Sequence, residues 1–168
     1  RDLNALYRSQ PALYETDCFP EGFSWIDCHD SDNSIISYIR KAKDENDFVI
    51  VICNFTPVVR EGYRIGVPRG GAYAEILNTD AACYAGSGQG NAGRVDAEDF
   101  ASHGFPHSLL LTLPPLGALV LKPFPPVASE VIEAQTDEAP AEAEPVTPEA
   151  GEPAPSDSKE AVDVAASR

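Results

Sequence analysis

The chain has 168 residues, enough for one domain with a substantial core, and its formal charge of −15 argues against nucleic acid or an anionic membrane as a partner. The charge is uneven, since residues 125–168 hold eleven acidic groups against two basic ones. No apolar run approaches a membrane span, no basic-then-apolar leader opens the chain, and the absence of methionine predicts a piece of a longer protein.

Residues 1–14, "RDLNALYRSQPALY", place Leu3, Leu6 and Tyr7 at helical spacing, with Pro11 as the stop. So short a helix does not form alone in water, because nucleation costs more than its few bonds return. It reads as the end of a longer helix. From Phe23 to Phe124 the pattern is all-β. Strands are predicted at Phe23–Cys28, Ser34–Lys41, Phe48–Cys53, Tyr63–Val67, Tyr73–Leu77, Leu109–Leu113 and Leu116–Leu121. Turn chemistry separates most of them, as in Asp30-Ser31-Asp32-Asn33, Asp44-Glu45-Asn46-Asp47 and Pro68-Arg69-Gly70-Gly71. Short strands so closely spaced predict an antiparallel β-sandwich.

Two of these strands, Phe48–Ile52 and Leu116–Leu121, are apolar on both faces. A free-standing sandwich covers only one face of each sheet, so a missing neighbour is expected outside them. Between Leu77 and Leu109 lie about thirty residues with little periodicity, and loops of that length are usually functional or cover a surface. Beyond Phe124 the composition turns to Ala, Glu, Pro, Ser and Thr, which cannot bury enough apolar area to offset the entropy of ordering. A disordered acidic tail is expected there.

The sequence displays no active site. "GQGNAG" (Gly88–Gly93) fits the dinucleotide fingerprint formally, but neither a strand before nor an amphipathic helix after supports it. His103 and His107 are four apart, yet Gly104 and Pro106 exclude the helix that would join them. Cys28, His29 and Asp30 are consecutive, and neighbours on a strand point to opposite faces. No metal site and no cofactor are expected. Cys18, Cys28, Cys53 and Cys83 form no C-x-x-C pair and read as small buried or half-buried thiols, in preference to zinc ligands or two disulfides. Asn54-Phe55-Thr56 matches the glycosylation acceptor pattern, which matters only in a secreted chain. A secreted adhesion-type sandwich would need both the disulfides and that glycan.

The segments "RDLNALYRSQPALYETD", "EGFSWIDCHDSDNSIISYIRK", "NFTPVVREGYRIGVP", "EILNTD", "YAGSGQGN" and "HSLLLTLPPLGALVL" resemble, in order, the C-terminal end of bacterial 1,4-alpha-glucan (glycogen) branching enzymes. The resemblance covers residues 1 to about 124 and departs at Phe19, where an acidic residue is common in the family. It implies membership of the alpha-amylase superfamily, whose branching enzymes carry a (β/α)8 catalytic barrel and a C-terminal all-β domain packed on it. Residues 1–22 would then be the end of the last barrel helix with a linker, 23–124 the C-terminal domain, and 125–168 an added tail. The implied partners are the barrel of the same parent chain and α-glucan, in the cytoplasm, where "CNFTP" would carry no glycan. The family's retaining carboxylates sit on barrel loops, and none can be carried over to this chain. Exposed aromatics that could stack on sugar are Trp25, Tyr38, Tyr73 and Tyr84. Trp25 and Tyr38 lie within apolar strands, which favours core packing, and Tyr84 in the glycine-rich loop is the better candidate. An autonomous carbohydrate-binding module is the alternative.

Overall fold

The computed structural model describes residues 1–125, so the expected acidic tail lies, from residue 126 on, outside the described residues. One helix, α1 (Asp2–Ser9), is followed by a 3-10 turn at Pro11–Leu13. Eight strands come next: β1 (Phe23–Asp27), β2 (Ile35–Lys41), β3 (Phe48–Asn54), β4 (Arg60–Val67), β5 (Ala72–Asn78), β6 (Arg94–Asp96), β7 (His107–Leu113) and β8 (Gly117–Pro123). They form a six-stranded sheet in the order β1-β2-β3-β8-β5-β6 and a two-stranded sheet of β4 and β7, antiparallel throughout. The all-β sandwich expected from the sequence is present.

Strand β6 was not expected. It is three residues long, and its only apolar side chain, Val95, leaves no periodicity to read. The apolar run of the sequence puts Leu116 at the start of a strand. It sits instead in the β7–β8 turn with φ 48°, and β8 begins at Gly117. The two prolines before it hold the chain in a turn where the apolar run suggested continuous extension.

Period-two alternation divides β3 between two cores. Phe48, Ile50 and Ile52 point inward to meet Ile65, Val67, Leu109, Leu111 and Leu113 of the small sheet. Val49 and Val51 point outward and join Val120, Ala42 and Ala12 in a second buried cluster. Burying each valine contributes at most about 1.5–3 kcal/mol. The missing neighbour expected over this face is therefore supplied in large part by the chain itself. The turn at Pro11–Leu13 inserts the fully buried Ala12, while Leu6 and Leu13 pack around it. Polar contacts fasten the same segment. Thr16 Oγ1 donates to the carbonyl of Lys41, Arg40 reaches Asp17 at 2.5 Å, and Lys122 Nζ donates to Gln10 Oε1 at 2.6 Å. Helix α1 itself buries no residue and turns Leu3 and Tyr7 to solvent.

The long stretch after β5 is tightly built. The Asp80 carboxylate accepts hydrogen bonds from Ser87 Oγ (2.6 Å), Ser87 N (2.9 Å) and Gln89 N (3.1 Å). Gly86 lies so close to the Asp80 backbone that a Cβ there would approach within 2.1 Å of it. The glycine is thus required by close approach. Among the described residues no helix is long and apolar enough to cross a membrane.

Candidate functional site

The outward face of β1 and β2 carries a cluster of three rings. Register pairs Trp25 with Tyr38, and a bulge follows Trp25, so that Asp27 faces Ser37. Phe23 and Trp25 meet edge-on with centroids 4.8 Å apart, Tyr38 lies 5.3 Å from Phe23, and Trp25 and Tyr38 are 5.9 Å apart. Core packing was expected for Trp25, yet it is 49% exposed. The reason is positional: β1 is the edge strand, Trp25 points away from the sandwich interior, and the Pro11–Leu13 turn of the N-terminal cover packs on β2 and β3. Tyr38 is half-buried between this cluster and the outer core. Burial, with a smaller push from nearby Cys53, raises its hydroxyl above the usual tyrosine range, so at neutral pH it is a hydrogen-bond donor. Arg40, directly opposite Phe23, and its ion-pair partner Asp17 add planar polar groups nearby. Aromatic faces flanked by planar polar side chains are the chemistry that holds a sugar ring.

The other two candidates lie elsewhere. Tyr73 is fully buried and donates its hydroxyl to the Arg69 carbonyl at 2.6 Å, with burial pushing its pKa up to about 12. Its ring is part of the core and has no free face for a sugar. Tyr84 ends a 3-10 turn, Ala82–Tyr84, is partly exposed, and donates its hydroxyl to Asp2 Oδ2 at 2.8 Å. That bond to the carboxylate raises its pKa. The structure groups Trp25 with Tyr38 and leaves Tyr73 and Tyr84 apart. Phe23, which sequence reasoning passed over, completes the group. Its spacing of two from Trp25 on an edge strand was the available signal.

The remaining motifs resolve into structure. "GQGNAG" runs into β6, with no helix after it. His103 accepts a hydrogen bond from Gly66 N at Nδ1 (3.1 Å) and faces Asp27 at 3.6 Å, while His107 meets Asp99 at 2.9 Å. Among the described residues no group of three or more His, Cys, Asp or Glu is placed to hold a metal ion. Cys18, Cys28 and Cys83 are exposed, against the expectation of burial, because each lies in a turn, at a strand end or in the long loop; Cys53 is half-buried, and all four are free thiols. Asn54 is 2% exposed. Its amide donates to the carbonyls of Val58 (2.8 Å) and Pro114 (2.9 Å), and its oxygen accepts from Thr56 N (3.0 Å) and Thr56 Oγ1 (2.7 Å). A side chain so enclosed is not a glycan acceptor.

The alpha amylase C-terminal all-beta domain family matches residues 25–124. The chain belongs to that family. It is also similar to longer proteins. The 1,4-alpha-glucan branching enzyme GlgB of Rubrobacter xylanophilus is 55% identical over 124 residues, 74% of this chain and 17% of that protein. The GlgB proteins of Cereibacter sphaeroides and Aquifex aeolicus are 57% and 53% identical over 122 residues, 73% of this chain and 17% and 19% of theirs. This alpha-amylase C-terminal domain thus spans about a sixth to a fifth of the length of the curated relatives it matches.

Proposed function

We propose that this chain is the accessory C-terminal domain of a bacterial glycogen branching enzyme, and that it contacts α-glucan through Trp25, with Phe23 and Tyr38 beside it. The observation that carries the first part is identity above one half to GlgB proteins over 124 and 122 residues. The reaction of such an enzyme cuts an α-1,4 linkage and moves the freed chain to a 6-hydroxyl through a retaining pair of carboxylates. On this reading those carboxylates belong to a barrel preceding the domain, in a cytoplasmic protein, and residues 1–22 join the two. The domain contributes stability and a place to hold glucan, and does no chemistry of its own.

The second part rests on the half-exposed indole of Trp25, packed edge-on against Phe23, with the Arg40–Asp17 pair opposite Phe23. The test is direct. The reading frame around this chain should encode a preceding barrel, and the full-length protein should branch amylose while the 168-residue chain does not. Maltoheptaose should bind both forms and bind Trp25→Ala weakly. Branching activity in the short chain, or glucan affinity untouched by Trp25→Ala, would overturn the respective part.

An autonomous carbohydrate-binding module remains the second reading. It is favoured by one observation, the self-covered outer sheet at Val49, Val51 and Val120. A reading frame without a barrel would decide for it.

A further inference from the structure

We propose that the end of the sandwich built from Phe55, Leu116, Thr79, Tyr84 and Leu3 is the surface on which the preceding part of the branching-enzyme chain packs. This inference rests on the proposed function and specifies where the two parts meet. Leu116 is the most telling residue. It holds a left-handed backbone conformation, φ 48°, that disfavours any side chain with a Cβ, and it leaves that side chain 69% exposed. Strain with no burial to offset it inside the chain points to contact outside it. Phe55, 60% exposed, sits next to it, because Leu116 N donates to the Thr56 carbonyl at 2.8 Å. The two residues line one hollow with Thr79, and Thr79 also lines a second with Leu3, Tyr84 and Asp2.

Hydrogen bonds brace this apolar end. The four hydrogen bonds of Asn54 fix the corner that presents Phe55, and the Asp80 carboxylate fixes the loop that presents Tyr84. Groups held in place before contact lose little entropy on contact, as a permanent interface requires. Two observations favour the preceding chain as occupant. The relatives are about six times longer than the stretch they share with this chain. The second hollow is walled by α1, through Leu3 and Asp2, the element from which an upstream domain would continue. Tyr84 then serves docking, its hydroxyl joining the loop to α1 through Asp2.

Hydroxyl-radical footprinting of the 168-residue chain and the full-length protein tests this, with Phe100 as an exposed control on another surface. Oxidation of Phe55, Leu116 and Tyr84 should fall several-fold in the full-length protein, and that of Phe100 should not. Leu116→Asn, which tolerates the left-handed backbone, should leave Tm unchanged or raised in the short chain and lower it in the full-length protein. Equal oxidation in both forms, or the same Tm shift in both, overturns the inference. If the full-length protein nevertheless branches amylose, the proposed function stands and only this surface assignment falls. A reading frame with no preceding domain overturns both.

Discussion

Asn91 ties the two sheets of the sandwich together through Glu75. Its backbone N–H and side-chain amide both donate to Glu75 Oε2 on β5, at 3.0 and 2.9 Å. The same side chain pairs with the backbone of Thr112 on β7, accepting at 2.8 Å and donating at 3.2 Å. One carboxamide thus satisfies groups from both sheets, and the glycine-rich segment that carries it is a structural staple. Asn91→Ala strands the Thr112 N–H and part of the Glu75 carboxylate, at a cost of about 1–3 kcal/mol. Thermal unfolding should show a midpoint several degrees lower, and an unchanged midpoint would show that water replaces the amide without loss.

Asn54→Asp is the sharper test of a buried amide. The substitution keeps the shape but replaces the donor facing the Val58 and Pro114 carbonyls with a charged acceptor. Loss of about 3 kcal/mol or more is expected, since a buried charge facing carbonyls lacks compensation. Denaturant titration of both proteins measures it. A loss below about 1 kcal/mol would mean that this corner opens readily, and the case for a braced end presenting Phe55 would fall with it.

Asp30 and Tyr63 predict a dependence on acid. Burial works to raise the Asp30 pKa, but hydrogen bonds from Tyr63 (2.7 Å) and Asn33, with the charge of Arg60, outweigh it and lower the pKa below the usual value. A carboxyl depressed in the folded state stabilises the fold above its unfolded pKa, ~3.9, and loses that contribution as pH falls through the lower folded value. Tyr63→Phe removes the main hydrogen bond. Its deficit in stability should be full at neutral pH and shrink below pH ~3.9. A deficit that widens on acidification would contradict the assignment.

Trp25 and Tyr73 should part company on substitution. Trp25→Ala removes a half-exposed ring and should cost about 1 kcal/mol or less beyond its contacts with Phe23 and Tyr38. Tyr73→Ala empties a fully buried site, where loss of a large aromatic costs about 3–5 kcal/mol. Calorimetry on both variants, beside a maltoheptaose titration of the first, checks the pair. Comparable destabilisation by the two would mean that Trp25 is a core residue after all.

Much of the fold was legible in the chain because its signals are local. The run at Phe48–Ile52, the alternation of Tyr63, Ile65 and Val67, and the turn residues at Asp30–Asn33 each declare an element through neighbours in sequence. The ordered segments of the branching-enzyme resemblance likewise survive as text. Residue exposure was less legible. Trp25 and Tyr73 look alike in sequence, each an aromatic at a strand position, yet one is half exposed and the other fully enclosed.

The sequence by itself determined seven of the eight strands and the sandwich class, because hydrophobic periodicity and turn chemistry act over a few residues, and its ordered segments carried the family resemblance. Only the tertiary structure decided which aromatics face water, what covers Val49 and Val51, and that Asn54 is enclosed. Those outcomes depend on strand order and on the packing of residues 1–22 against strands far away in the chain. The exposure of a β1 side chain follows from β1 being an edge, and an edge is defined by partners that no short stretch of sequence contains.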